Sequence, residues 1–331
     1  MGKRPVVFDH SQNQMVSTAQ KIEALRMATA QACLQVKPET LVRIRSNDLP
    51  KQDVLVIARA AGVLAAKQTP HLLPFCHPLM LDQIQVDFEL SENAVTVLAT
   101  VSTVAKTGVE MEALMAANIA ALTLYDMLKP IDDALVISDV RLRSKFGGKQ
   151  TYRVKIPQGF KSAVIVASDS TAAGQRKDKS GQIIRTALVE YGLPEPEYYV
   201  LPDEKTALQT LIRSLAAQQV QLILCSGGTG LGPRDVTVEA VAEMVERTVP
   251  GIAEAMRAFG QKHTPYAMLS RGIAGVLQDT LIITLPGSSA GAAESLAAIF
   301  PYILHAFPIL RGANHDSGEQ GQNIASLVHD A

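Results

Sequence analysis

Two successive architectures are predicted. The first half is α+β, an antiparallel sheet with helices on one face in a ferredoxin-like arrangement. The second half is α/β, with a mostly parallel sheet between two helical layers. Three observations predict this. Residues 83–103 hold two alternating apolar runs around a short polar turn, the pattern of a half-buried hairpin. Residues 108–128 form one long alanine-rich helical stretch. Beyond about residue 160, near-continuous apolar runs alternate with helical segments, the pattern of strands covered on both faces. A chain of 331 residues also exceeds the ~250–300 residues at which one hydrophobic core stops growing.

The elements follow in order. Residues 1–16 are expected to be a loose arm. Ser17 and Thr18 can cap a helix in which Ile22, Leu25, Ala28 and Ala32 recur at helical spacing. After Pro38, residues 42–46 (VRIRS) are expected to be extended. Asp53 opens a second helix, DVLVIARAAGVLAAKQ. QIQVDFEL and AVTVLATVS make the hairpin, with Ile84, Val86, Phe88 and Leu90 alternating and residues 91–93 turning the chain. The long helix 108–128 comes next, and ALVISDVRLRS is a third strand. The stretch GGKQTYRVKIPQGF, with Gly147, Gly148, Pro157 and Gly159, marks a boundary, which places the units at 1–155 and 156–311. Four strands then follow, SAVIVASD, EYYVLPD, VQLILCSGG and TLIITLPG. Helical segments are expected at about 180–192, 205–218, 236–246, 251–261 and 288–306. Residues 312–331 are polar and are expected to be a mobile tail.

Charge and cysteine use narrow the function. With 31 basic and 32 acidic residues the net charge is −1. No broad field exists for nucleic acid or an anionic membrane, and neither is expected as a partner. An anionic ligand must be held by local Lys, Arg and backbone N–H groups. Cys33, Cys76 and Cys225 are far apart, as in a reducing compartment, so the cytoplasm is expected. No apolar run reaches the ~18 residues of a membrane span without a charge or glycine.

Polar chemistry in the first half gathers in four segments. These are Lys51-Gln52-Asp53; Pro74-Phe75-Cys76-His77-Pro78-Leu79; Lys106-Thr107-Gly108-Val109-Glu110-Met111-Glu112; and Asp126-Met127-Leu128-Lys129, followed by Lys145-Phe146-Gly147-Gly148-Lys149. Lysines beside a helix start can hold phosphates, and carboxylates with histidine can move protons. Taken singly, Glu110 and Glu112 could be first-turn acids, and Asp126 with Lys129 a surface pair at i, i+3. The strings PFCHPLM, KTGVEMEAL, AALTLYDMLK and KFGGK together resemble the MoaC family, the cyclic pyranopterin monophosphate synthases. The resemblance covers about residues 15–150. It implies conversion of a cyclic dihydroguanosine triphosphate intermediate to cyclic pyranopterin monophosphate with release of pyrophosphate. It implies Lys51 and Lys129 as the essential pair, with Asp126 beside them. Arg26, Cys76, His77, Pro78, Leu79, Glu110, Met111, Glu112, Lys145 and Lys149 would line the substrate site. It also implies a homo-oligomer. His71, Cys76 and His77 do not form a zinc-ligand spacing, so no metal is expected in this half.

In the second half SGGTGLGPRDVT runs from a strand to a helix, and LPGSSAGAAES does so again. Glycines let backbone approach a phosphate closely, and the helix start favours anions. The Gly-Lys-Ser/Thr ending of a Walker A loop is absent. Asp203 and Asp235 could hold a hydrated Mg²⁺, which prefers few carboxylates plus phosphate oxygens. The strings VIVASD, LPDE, SGGTGLGPRDVT, PGIAEAMR, LSRGIAG and LPGSSAG resemble the MoaB/MogA family of molybdopterin-binding domains over about residues 160–310. That resemblance implies adenylylation of molybdopterin by ATP with Mg²⁺. Asp203 and Asp235 fall on its catalytic acidic positions. Ser226, Gly227, Gly228, Thr229, Gly230, Ser270, Arg271, Pro286, Gly287, Ser288 and Ser289 fall on its pterin and nucleotide loops. The alternative is a second half that binds pterin or assembles the chain without turnover.

Overall fold

The structure is a computed structural model that describes residues 14–19, 21–148, 151–152 and 156–312. The chain divides into two compact units between Thr151 and Tyr152.

In the first unit the elements are β1 (Ala24–Gln35), α1 (Pro38–Ser46), α2 (Val54–Leu72), β2 (Gln83–Leu90), β3 (Ala94–Ala105), α3 (Glu110–Leu128) and β4 (Val136–Phe146). Four antiparallel strands lie in the order β2-β3-β1-β4. Two expectations fail here. The segment expected to be the first helix is β1. Arg26, Ala28, Ala30, Ala32 and Leu34 are all buried, a period of two that a few apolar residues at helical spacing had masked. Its partner β3 runs beside it from Ala24↔Ala105 to Gln35↔Ala94, and this long ladder outweighs the weak local helix signal. Conversely, residues 42–46 lie in α1, not in an extended segment. Pro38 occupies the first turn, where its missing N–H costs nothing, and Leu41 and Ile44 face the core.

The sheet's even-numbered β1 face receives α3, whose Ala113, Ala116, Ala117, Ala120 and Ala121 are fully buried. These alanines also let α2 lie close against α3. A Cβ built on Gly62 of α2 would sit 3.0 Å from the Ala116 carbonyl oxygen and 3.2 Å from the Ala120 Cβ. Among the described residues α3 is the one helix long and apolar enough to cross a membrane, but half of it is packed inside this unit as the core helix.

The second unit contains β5 (Ser162–Ala167), α4 (Asp169–Ala172), α5 (Ser180–Glu190), β6 (Glu197–Leu201), α6 (Lys205–Ala217), β7 (Leu222–Ser226), α7 (Thr237–Ala242), β8 (Arg247–Thr248), α8 (Pro250–Gln261), β9 (Ala274–Leu277), β10 (Thr280–Leu285), α9 (Ser289–Ile299) and α10 (Ala306–Leu310). Six strands lie in the order β6-β5-β7-β10-β9-β8. The first four are parallel, and β9 and β8 add antiparallel pairs. Strands β8 and β9 are too short to show a period in sequence. The expected helix 288–306 ends at Ile299 instead, where Pro301 follows and cannot donate to the preceding turn. Strands β5, β7 and β10 are buried throughout because both faces are covered. Ile165, Ile223 and Ile282 pack with Leu208 and Ile212 of α6 and Val241 of α7. Helices α5 and α9 pack on each other and reach β5 and β10.

The chain passes from β5 to β6 on one side, then to β7 on the other. That reversal leaves a crevice beyond the carboxyl ends of β5 and β7, where ligands of such sheets bind.

The close contact of α2 and α3 yields a prediction. Gly62→Leu should lower the stability of the first unit by about 1–3 kcal/mol through overpacking, measured by urea denaturation. The unfolding of the second unit should not change.

Candidate functional sites

The first unit carries two clusters at opposite ends of its long helices. One is built on the turn between α1 and α2. Asn47 and Asp53 adopt left-handed conformations there, the Asp53 N–H donates to Asn47 Oδ1, and Leu49 is buried. This pinned turn presents Lys51 toward the end of α3. Lys51 Nζ lies 3.5 Å from Asp126 Oδ2, and Lys129 Nζ lies 2.7 Å from Asp126 Oδ1. Asp126 thus holds both lysines, and the hydrogen bond from Lys129 keeps its carboxyl below the usual carboxylate range. The Asp126 carboxylate in turn raises the Lys129 ammonium above its ordinary value. A lysine lowered toward neutral pH, the form suited to a general base, is therefore not what this arrangement produces at Lys129.

The other cluster forms where α2 ends and α3 begins. Arg26 is buried and donates from Nε to the Ala105 carbonyl at 3.1 Å. Lys145 of β4 lies 3.5 Å from Glu110 Oε1. Glu112 is 2% exposed, and its Oε1 lies 3.9 Å from Cys76 Sγ, while its Oε2 is buried with no hydrogen-bond partner. Burial pushes the Glu112 carboxyl up, and the Glu110 charge adds to this. Burial likewise raises the Cys76 thiol, with Glu112 beside it. His77 and Leu79 are partly buried in the following extended loop, Pro78 is exposed, and Met111 is 39% exposed at the helix start. Lys149 lies outside the described residues.

In the second unit the glycine loops meet backbone to backbone. Gly227 N–H donates to the Leu285 carbonyl at 3.1 Å, and Ser226 Oγ to the Pro286 carbonyl at 3.2 Å. Gly228 has φ +62°, and a Cβ there would lie 2.3 Å from Thr237 Oγ1. The position requires glycine on both counts. Ser288 caps α9, accepting from the Gly291 N–H at 3.1 Å.

Asp203 and Asp169 are bound reciprocally. Asp169 N–H donates to Asp203 Oδ2 at 3.1 Å, and Asp203 N–H to Asp169 Oδ1 at 3.0 Å. Arg234 pairs with Asp169 Oδ2 at 2.5 Å. Asp235 Oδ2 accepts from the Gly232 N–H at 2.7 Å. Burial raises the Asp203 carboxyl, and the charges of Asp169 and Asp235 contribute in the same direction. Arg271 braces the first glycine loop. It donates to the Gly230 carbonyl at 2.7 Å and the Asp235 carbonyl at 2.9 Å, and pairs with Glu239.

Two cavities open at this strand end. One, of about 470 Å³, has walls that include Ala253, Met256, Ala267, Leu269 and Ser270. The other, of about 360 Å³, is polar and includes Asp203, Ser226, Gly227 and Ser289. Gly228, Asp235, Gly287 and Ser288 line both; Thr229, Gly230 and Pro286 line the first. Arg176, Lys177 and Lys179 also line the polar cavity, and the sequence motifs did not single them out. Asp178 between them was missed too. It accepts from Gly181 N–H, Gln182 N–H and Tyr198 O–H, and so fixes the start of α5. The spacing of Asp178 before Ser180 was the available signal.

The MoaC family model matches residues 15–148, and the model described as "Probable molybdopterin binding domain" matches residues 163–305. The molybdenum cofactor biosynthesis bifunctional protein of Chlorobaculum tepidum is 40% identical over 301 residues, covering 91% of this chain and 96% of that protein. Its counterpart in Synechococcus elongatus is 38% identical over 314 residues, covering 91% and 98%. The cyclic pyranopterin monophosphate synthase of Roseiflexus sp. strain RS-1 is 49% identical over 137 residues, 41% of this chain and 87% of that protein.

The buried Glu112 yields a pH prediction. Its folded-state pKa is raised, so between the unfolded and folded values the native state holds a proton that the unfolded chain has lost. Stability contributed there declines as pH rises. Glu112→Gln should flatten the fall in stability of the first unit as pH rises above the ordinary carboxylate range, measured by denaturation as a function of pH. An unchanged slope would show that Glu112 ionises freely.

Proposed function

This chain belongs to the family of bifunctional molybdenum cofactor biosynthesis proteins, and from that premise we propose how its two sites work. The first unit is the cyclic pyranopterin monophosphate synthase. The strand order β2-β3-β1-β4 with helices between the strands supports the ferredoxin-like reading of this unit. The second unit adenylylates molybdopterin with ATP and Mg²⁺. The three separate free cysteines support a reducing cytoplasmic compartment. The ligands are small pterins and nucleotides; nucleic acid and membrane are not partners in this reading.

The observation that carries the second reading is the pair of cavities joined at Gly228, Asp235, Gly287 and Ser288. Two reactants held in adjoining spaces meet at a shared wall, which converts an encounter into an intramolecular step. A molybdopterin phosphate oxygen attacks the α-phosphorus of ATP, the bond to the β-phosphate breaks, and pyrophosphate leaves. Asp203 and Asp235 each have one oxygen committed to a backbone N–H, leaving the other for a cation. The raised Asp203 carboxyl is what a buried anion awaiting a cation shows. Two carboxylates suit Mg²⁺, which takes one or two of them and completes its shell with phosphates and water. When bound, the ion would offset charge on the phosphoryl oxygens.

In the first unit the distance between clusters decides the assembly. Lys51 precedes α2 and Cys76 follows it; Glu110 opens α3 and Asp126 lies near its end. A helix of nineteen residues is roughly 27 Å long at 1.5 Å per residue. Lys51, Lys129 and Asp126 therefore cannot share one small substrate with Cys76, His77, Glu110, Glu112 and Lys145 of the same chain. We infer a homo-oligomer in which one protomer supplies the lysines and its neighbour supplies Arg26 and the His77 cluster. Lys145 and Lys149 would then serve the phosphates. Because Asp126 holds Lys129 charged, Lys129 binds anion or donates a proton in this scheme.

Two outcomes test these assignments. Lys51→Ala or Lys129→Ala should reduce cyclic pyranopterin monophosphate formation at least 100-fold, the order expected when a group stabilising the transition state is lost. Mixing dissociated Lys51→Ala and His77→Ala chains should restore part of the activity, and a fully active monomer by light scattering would remove the shared site. For the second unit, Asp203→Asn and Asp235→Asn should bind molybdopterin yet lose Mg²⁺-dependent adenylylation. If the parent chain binds molybdopterin and forms no adenylylated product with ATP and Mg²⁺, the second unit is a carrier.

A further inference from the structure

The polar cavity has a wall to which neither the sequence motifs nor the proposed reaction assigns a role. We propose that the loop bearing Arg176, Lys177 and Lys179 is the cradle for the β- and γ-phosphates of the nucleotide, which places the triphosphate in the polar cavity and leaves the apolar cavity for the pterin. This rests on the adenylylation reading and specifies where its co-substrate lies.

Three observations carry it. All three cations line the 360 Å³ cavity, together with the hydroxyl-bearing Ser180, Ser288 and Ser289. Among the described residues none of the three has an ion-pair partner. Asp178, Asp203 and Asp235 line the same cavity, so its formal charges balance, and the three cations stand out by lying together on one loop without an ion pair. The loop is also held in shape. Gln175 N–H and Arg176 N–H both donate to the Ser170 carbonyl, at 2.8 and 3.1 Å. Asp178, the acid within the loop, is turned to the start of α5, accepting from Ser180 Oγ, two backbone N–H groups and the Tyr198 hydroxyl. Burial and the hydrogen bond to Asp178 push the Tyr198 hydroxyl up to about 12, so that partner stays protonated across the working range. Asp178 is therefore spent within the fold and does not neutralise its lysine neighbours.

The rest of the lining is of opposite sign. Asp203 and Asp235 stand on the same cavity. A wall of cations facing a wall of acids fits a ligand that is anionic at one end and carries a cation at the other, which describes a metal–nucleoside triphosphate. A pterin ring presents no such charge pair. The shared wall at Gly228, Asp235, Gly287 and Ser288 then receives the α-phosphate, beside the mouth of the apolar cavity.

The test compares ligands that differ in phosphate number. Full-length chain and the Arg176→Ala, Lys177→Ala and Lys179→Ala variants are titrated calorimetrically with ATP, AMP and inorganic tripolyphosphate, each with Mg²⁺. The cradle requires ATP and tripolyphosphate to weaken about ten-fold per lost cation, as for charge-assisted phosphate contacts, with AMP weakened no more than about three-fold. Lys177→Arg and Lys179→Arg should restore most of the loss. ATP binding that is unchanged in all three alanine variants would overturn the cradle and leave adenylylation standing. Equal weakening of ATP and AMP would also overturn it. Tripolyphosphate binding that depends on these cations, with no binding of ATP, would keep the anion cradle and overturn adenylylation.

Discussion

In both units a backbone comes within contact distance of another element, and only residues with little or no side chain permit it. Around α3, Ala113, Ala116, Ala117, Ala120 and Ala121 let the helix rest on the sheet while α2 rests on the helix. In the second unit Gly227, Gly228 and Gly287 bring the two glycine loops together. The chemistry depends on both contacts. The α2–α3 pair sets the distance between the lysine cluster and the His77 cluster. The loop contact sets the shared wall between the two cavities. A methyl group added at either place moves functional groups that it never touches.

A nearly neutral chain must also do its electrostatics locally. Asp126 gathers two lysines, and Arg271 is consumed by two carbonyls and Glu239 in bracing a loop. Arg234 is consumed by Asp169. These pairs are exposed or half-exposed, and such pairs add little stability on their own. Their effect lies in geometry: each fixes a segment next to a residue proposed to act. The groups without partners are the informative remainder. Glu112 keeps one buried oxygen unpaired, and the loop 176–179 keeps three cations unpaired. An oxygen or a charge left over inside a built site indicates what a ligand must bring.

Much of this was legible in the sequence, and the failures share a cause. The hairpin, the long helix and the four parallel strands follow from period and from apolar runs that burial on two faces requires. The segment of β1 was misread because Ile22, Leu25, Ala28 and Ala32 satisfy a helical spacing while Ala28, Ala30, Ala32 and Leu34 satisfy a strand spacing. The choice between them was made by pairing with β3, 59 to 81 residues away (Gln35↔Ala94 to Ala24↔Ala105). Helix α1 was missed because VRIRS alternates over a few residues, too few to separate the two periods. At the sites, motif strings located Lys51, Asp126, Glu112, Asp203 and Asp235. They did not show that Asp126 raises Lys129, that Arg271 is spent as a brace, or that Asp178 is spent on the start of α5. Those are facts of direction, and direction depends on long-range contacts.

The two units therefore differ in what their sites require. The residues proposed for adenylylation gather at one strand end of one sheet, so a single second unit presents both cavities and both acids. The synthase residues are divided along helices roughly 27 Å long, and no side-chain movement spans that length. In the proposed homo-oligomer a carboxyl that burial pushes up, such as Glu112, would meet the lysines of another chain only on assembly. An opposite charge brought near a buried acid favours its ionised form. In that proposed assembly, association would both complete the synthase site and bring an opposite charge to its buried acid.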